Sequence, residues 1–215
     1  AGRPLKTSPL YDRLKARGAQ FGAAAGLEVP LWYAPEGVRD EFSWYRSTDF
    51  DTVAAEVAAV RTQVGLIETT GFAKYTVSGS GARAWLDGLL ACKIPAPGRM
   101  TLAPMLKHDG RLIGDFTLAD LGAEGFLIIG SGLAEDYHMR WFQQHLPSDG
   151  SVSIVAHGAG LAGLAIAGPR AREVLAAVTT ADLSTAKFRF MDIKRIPVGM
   201  ASALVGRVSY TGDLG

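Results

Sequence analysis

Two aspartates stand where a carboxylate could handle a proton. Asp115 lies inside Leu112-Ile113-Gly114-Asp115-Phe116-Thr117-Leu118, a run that otherwise reads as a strand, where Asp is normally depleted. Simple alternation puts it on one face with Ile113 and Thr117, and Gly114 beside it leaves room for a close approach of backbone or ligand. Two readings stay open. Either this is an edge strand turning a polar face to water, or the carboxylate is partly buried and holds or relays a proton near a cationic amine. Asp213 closes Tyr210-Thr211-Gly212-Asp213. Its aromatic ring, hydroxyl, glycine and acid suit a flat, hydrogen-bonding heterocycle, and they equally suit a plain polar turn.

Other chemistries find less support. His138 and His145 are two helical turns apart with no third ligand close in sequence, and Asp136 points away from both; they read as surface or partly satisfied histidines rather than metal ligands. Cys92, the single cysteine, ends an apolar helix beside Lys93 and reads as a small buried hydrophobe. Gly158-Ala159-Gly160-Leu161-Ala162-Gly163 follows a strand, with Asp182 roughly 20 residues on, as a dinucleotide site requires. Gly168-Pro169 then ends the element too soon for the helix that must hold the pyrophosphate. Gly79-Ser80-Gly81 and Gly130-Ser131-Gly132 lack the remaining features, so all three read as turns.

The elements that must position these residues follow from periodicity. A short basic helix is expected over 11–18 and a small-residue loop over 22–26. The stretch 31–50 is irregular and crowded with Trp32, Tyr33, Phe42, Trp44, Tyr45 and Phe50, as in a segment laid over a pocket, a neighbouring domain or its own core. Val53, Val57, Val60 and Val64 share a helical face, capped by Asp51 or Thr52 and stopped by Gly65. Ala73, Tyr75 and Val77 alternate as a strand, and Ser80 caps a helix carrying Trp85, Leu86 and Leu89. Strands over 102–106 and 112–119 meet across His108-Asp109-Gly110, a hairpin turn. A buried strand over 126–129, a helix over 133–146, strands over 152–155 and 161–167, a helix opened by Pro169 and a strand over 200–208 complete the pattern. Hairpins among interleaved helices predict α+β rather than a doubly wound sheet. The expected divisions are 1–50, 51–147 and 148–215, with the flanks packing together around a central insert.

Composition sets the outer limits. At 215 residues the chain can bury a real core, and its 22 Lys and Arg nearly cancel 21 Asp and Glu. That argues against a nucleic-acid partner or a membrane-surface field, a local basic pocket aside. One cysteine allows no internal disulfide framework and fits a reducing compartment. No apolar run reaches the length of a transmembrane helix. The start at Ala1 and the end at Gly215 lead us to expect a piece of a longer chain.

Taken in order, several blocks resemble one family. These are Leu5-Lys6-Thr7-Ser8-Pro9-Leu10-Tyr11-Asp12 with Arg17-Gly18-Ala19-Gln20-Phe21-Gly22, Val64-Gly65-Leu66-Ile67-Glu68, and Phe72-Ala73-Lys74-Tyr75-Thr76-Val77-Ser78-Gly79. Gly110-Arg111-Leu112-Ile113-Gly114-Asp115, Ala167-Gly168-Pro169-Arg170-Ala171 and Ser209-Tyr210-Thr211-Gly212-Asp213-Leu214-Gly215 follow. Together they resemble the folate-binding, glycine-cleavage T-protein-like domain of dimethylglycine and sarcosine dehydrogenases, in the aminomethyltransferase superfamily.

The resemblance implies an α+β T-protein-like fold with a ferredoxin-like central portion, cut before the family's carboxyl-terminal barrel. It implies a pocket for tetrahydrofolate. Asp115 would be the catalytic carboxylate beside the folate nitrogen that attacks an iminium or aminomethyl carbon, while Asp213, Tyr210 and Gly114 would be cofactor-binding. Asp213 stands where the family usually has Glu against the pterin, and Leu102 and Ala103 where relatives often have Tyr and Thr. Free-standing T-proteins commonly carry two acids at the hairpin; Gly114 before Asp115, the Gly-Asp-Leu-Gly ending and the aromatic segment look more like the flavoprotein branch. The whole protein implied has an upstream FAD domain that oxidises an N-methylated amino acid, with capture here as 5,10-methylene-tetrahydrofolate. It would sit in a bacterial cytoplasm, or in the mitochondrial matrix of a eukaryote. The rivals are a stand-alone aminomethyltransferase of the glycine cleavage system and a non-catalytic, folate-binding regulatory relative.

Overall fold

The computed structural model describes residues 2–209, 212, 214 and 215; Tyr210 and Asp213, two of the expected site residues, lie outside the described residues. In chain order the regular elements are α1 (Tyr11–Ala16), β1 (Ala19–Ala24), β2 (Leu27–Tyr33), α2 (Phe50–Thr62), β3 (Gly65–Glu68), β4 (Ala73–Ser78), α3 (Ala82–Leu89) and β5 (Met100–Leu106). They continue with β6 (Leu112–Asp120), β7 (Phe126–Gly130), α4 (Glu135–Gln144), β8 (Ser153–Ala156), β9 (Leu164–Ala167), α5 (Ala171–Ala176), β10 (Ile193–Val198) and β11 (Ala201–Gly206). Helices and mainly antiparallel hairpins mix, as an α+β chain should. Among the described residues no helix is long and apolar enough to cross a membrane.

The chain forms two compact units. One comprises Ala1–Gly71, Ala159–Val174 and Ser209–Gly215; the other comprises Phe72–Gly158 and Leu175–Val208. In the first, β1 and β2 form a hairpin, so the small residues expected to be a loop are strand instead. The tight turn at Ala25-Gly26 lets the backbone ladder, which needs no side chain, recruit them. In the same unit β3 pairs with β9 antiparallel, Gly65 opposite Ala167. Gly168 follows at φ 120° and lies so close to α2 that a methyl there would meet the Val60 and Gln63 carbonyls at 2.6 Å. Its N–H donates to Leu214 O at 2.8 Å, which joins the Gly168-Pro169 motif to the chain's last residues.

The second unit carries a five-stranded sheet in the order β5-β6-β7-β4-β8, antiparallel throughout. The helices α3 and α4 cover one of its faces. Tyr75, Val77, Ala103, Met105, Phe116, Leu118 and Ile128 meet Ala82, Leu86 and Phe142 there in one apolar cluster. Phe142 is fully buried, its ring 5.2 Å from that of Tyr75, 5.7 Å from Phe116 and 6.1 Å from Trp85. Trp85 Nε1 donates to His145 O at 2.6 Å and so ties α3 to the end of α4. The cap of α3 is Gly81 rather than Ser80. Its N–H donates to Ser151 O at 3.1 Å, and Ser151 crowds Gly79 so tightly that only glycine fits there. Part of the opposite face packs on the β10–β11 hairpin through Met100, Ala119, Leu127 and Ile193.

Candidate functional site

Residues paired across an antiparallel ladder point to the same side of the sheet. Pro104 pairs with Asp115, Leu102 with Thr117, Thr117 with Ile129, and Ile129 with Lys74. These residues therefore share the face turned away from α3 and α4. At the β5–β6 end that face is accessible: Asp115 is exposed, Leu102 is 71 % exposed, and Pro104 and Thr117 are partly buried. At the β4 end Lys74 is buried and its Nζ donates to Phe72 O at 2.6 Å. By strand spacing the Asp115 and Lys74 backbones are on the order of 12 Å apart. Thr76, further along β4, meets His157 Nε2 at 3.1 Å through its hydroxyl.

Asp115 accepts no hydrogen bond and forms no ion pair with any described residue. Asp120, five positions on in the same strand, is the contrast. It is 1 % exposed, it pairs with Arg83, and its Oδ1 accepts the Gly122 N–H at 2.8 Å. Asp120 thus secures the turn after β6, whereas Asp115 has no structural partner to serve.

The alternation expected around Asp115 fails at one point. Ile113 is buried with the helix-side core and Asp115 is not on its face. The register explains this: Met105 pairs with Gly114 but Leu106 pairs with Leu112, so Ile113 is an extra residue on β6. Such a bulge reverses the side-chain parity of everything beyond it. Gly114 accordingly faces the helices. A methyl there would come within 2.6 Å of His138 Nε2 and 2.8 Å of Phe116 Cζ, so the close approach that Gly114 permits is that of His138.

His138 is not a surface residue. It is 3 % exposed, on the same face of α4 as Phe142 four positions on, a spacing that could have revealed its burial from sequence. The Ile113 carbonyl can only accept, so Nε2–H donates to it, at 3.2 Å. Phe116 lies edge-on to the ring at 4.8 Å, and Nδ1 is buried with no hydrogen-bond partner among the described residues. Desolvation pulls its pKa below the ordinary histidine value, against the opposing pull of the Ile113 carbonyl and the Asp115 charge, and the ring is neutral at pH 7. His145 is half-buried, with Nδ1 on Trp141 O at 2.8 Å. Cys92 is partly buried against the core, where desolvation, and then the Asp87 charge, push its thiol pKa up, away from reactivity. Among the described residues no group of three or more His, Cys, Asp or Glu could hold a metal. Two cavities of about 260 and 300 Å³ lie elsewhere in this unit, lined by residues 181–196 and 195–202, and neither includes Asp115.

Comparisons with known proteins place these observations. Residues 10–215 match the family model described as the GCVT N-terminal domain. The chain is 32% identical over 219 residues to human "Dimethylglycine dehydrogenase, mitochondrial", covering all of this chain and 25% of that protein. It is 28% identical over 214 residues to the aminomethyltransferase of Bacillus subtilis (strain 168), covering 98% of this chain and 53% of that one. The chain thus spans about a quarter of the former and about half of the latter. The glycine cleavage system aminomethyltransferase T structure from Bartonella henselae superposes with a TM-score of 0.76 over 98% of this chain and 52% of its own, at 23% identity. That agreement concerns the fold.

Proposed function

This chain belongs to the GCVT N-terminal domain family, and on that footing we propose that it is the tetrahydrofolate-binding part of an FAD-dependent N-methyl amino acid dehydrogenase or oxidase. The substrate is of the dimethylglycine or sarcosine type, and its one-carbon unit leaves as 5,10-methylene-tetrahydrofolate. The observation that carries the reading is Asp115, an exposed strand carboxylate without a structural partner, on the same strand as the fully engaged Asp120. A carboxylate edged by Pro104, Leu102 and Thr117 suits a ligand with both an N–H and an apolar ring edge.

When bound, tetrahydrofolate supplies the nucleophilic nitrogen that receives the one-carbon unit. Asp115 orients that nitrogen by accepting its N–H at a carboxylate oxygen, and it takes up the proton released as the new bond forms. Thr117, two residues along on the same face, offers a second polar contact. Tyr210 and Asp213 enter the reading by their motif alone, at the pterin. The flavin and the N-methylated substrate belong to an upstream domain, and no residue of this chain is assigned to them. The Gly114-Asp115 pair and the whole-chain match to dimethylglycine dehydrogenase support this branch. The compartment that goes with it is a bacterial cytoplasm or a mitochondrial matrix.

Replacing Asp115 in the full-length enzyme tests the reading. Asp115→Ala should cut methylene-tetrahydrofolate formation by roughly 10²–10⁴-fold, the usual reach of a general acid or base, while amine oxidation continues. Undiminished folate product would overturn the assignment of Asp115, and calorimetry showing no tetrahydrofolate binding would overturn the pocket. The stand-alone aminomethyltransferase reading is favoured by the Bacillus relative, which matches 98% of this chain. Visible flavin absorbance of the purified full-length protein separates the two.

A further inference from the structure

Within the β5–β6 ladder Ile113 stands opposite no residue of β5, because the register passes from Met105–Gly114 directly to Leu106–Leu112. The strand on the other side gives it no partner either, since β7 pairs with β6 only from Thr117 to Asp120. Ile113 thus sits at a break in the ladder, where a buried carbonyl needs a donor. The donor is His138 Nε2–H, reaching across from α4 at 3.2 Å. Gly114 is what lets the ring in, because a methyl there would sit 2.6 Å from Nε2, and Phe116 holds the ring edge-on at 4.8 Å.

The bulge lets Ile113 and Asp115, two residues apart, face opposite sides of the sheet. With it, Ile113 and Phe116 both face the helix-side core and Asp115 faces outward. Without it, strict alternation forces a choice: Asp115 turned into the core with Ile113, or Ile113 turned out of it with Asp115. Burying a histidine here is costly: Nδ1 has no partner among the described residues, and an apolar side chain would fill the same space without that penalty. The Nε2–H donor is what an apolar replacement would lack. We propose that His138 is a positioning residue for Asp115, a latch on the Ile113 bulge that keeps the carboxylate on the exposed face of the sheet. The catalytic part of this inference rests on the role given to Asp115 above; the latch itself does not.

The test uses the full-length enzyme and three substitutions. Leu at position 138 removes the donor, Gln carries an amide to the Nε2 position, and Asn reaches only the Nδ1 position. His138→Leu and His138→Asn should slow tetrahydrofolate-dependent product formation by on the order of ten- to a hundredfold, the scale of a misplaced catalytic group. Amine oxidation, which serves as the folding control, and tetrahydrofolate affinity should hold, so the loss falls on kcat rather than KM. His138→Gln should recover most of the rate. In an Asp115→Asn background His138→Leu should cost nothing further, as expected of residues acting through one another. Full additivity there, or failure of His138→Gln to outperform His138→Asn, would overturn the proposal.

Hydrogen exchange over residues 112–116 follows the latch independently of activity. Faster exchange in His138→Leu and His138→Asn, restored in His138→Gln, supports it; unchanged protection in all three refutes it. If the exchange pattern appears while Asp115→Asn leaves the product rate intact, the latch stands and the catalytic reading of Asp115 falls. Should His138→Leu not fold, the Gln and Asn pair still decides the matter.

Discussion

Substituting Gly114 by alanine offers a quantitative check on how this site is built. The added methyl would lie 2.6 Å from His138 Nε2, 2.8 Å from Phe116 Cζ and 3.0 Å from His138 Cε1. Ordinary contact requires roughly 3.5 Å or more, so the imidazole must retreat by nearly an ångström. Neither neighbour can swing into solvent, because both are buried. Overpacking of this kind costs about 1–3 kcal/mol, and losing the hydrogen bond to Ile113 O adds about 0.5–1.5 kcal/mol. Restricting the unfolded chain returns about 0.4–1 kcal/mol. The net expectation is a destabilisation of about 1–3 kcal/mol in the second unit. Native-state hydrogen exchange on the full-length protein would read it as roughly ten- to a hundredfold faster exchange of the slowest β4 and β6 amides. Unchanged protection together with weaker tetrahydrofolate binding would refute the reasoning, because Gly114 would then be making room for a ligand rather than for His138.

Phe142→Ala should be among the most damaging core changes. It removes a fully buried ring that touches Tyr75, Phe116 and Trp85, at about 3–5 kcal/mol, and should appear as loss of protection throughout the five-stranded sheet; a loss below about 1 kcal/mol would mean the site collapses freely. The neutral His138 gives a pH signature. Its folded pKa is lowered, chiefly by desolvation, so the unfolded chain binds the extra proton first. Stability is therefore full above the ordinary histidine value of about 6.5 and falls below it, by at most about 1.4 kcal/mol per pH unit. Exchange rates of the β6 and α4 amides between pH 7 and 5 should show that loss in the native protein and not in His138→Gln; equal slopes would assign it to another group.

Much of the second unit was legible in the sequence because its signals are local. The turn at His108-Asp109-Gly110, the alternation of Ala73, Tyr75 and Val77, and the stripe of α3 each involve neighbours along the chain. The rest depends on contacts from afar. The parity break at Ile113 meets His138, 25 residues on, so counting along β6 puts Ile113 wrongly on the face of Asp115 and Thr117. β10 carries no alternating signal because Lys194, Arg195 and Pro197 mask its buried Ile193 and Ile196, and only pairing with β11 makes it a strand. The helix α2 kept its expected place, yet none of its residues is buried; its valines reported a face, not a core.

The pairing of β3 with β9 bears on how this chain emerges from the ribosome. The two strands lie roughly a hundred residues apart, and synthesis runs at about 5–20 residues per second. Leu66 and Ile67, which remain more than half exposed even in the folded chain, must then wait about 5–20 seconds for their partner strand. The β5–β6–β7 meander needs only short turns and can close meanwhile. The first unit is thus the one at risk during synthesis, since its early strand is a free edge that a second nascent chain could occupy before β9 arrives.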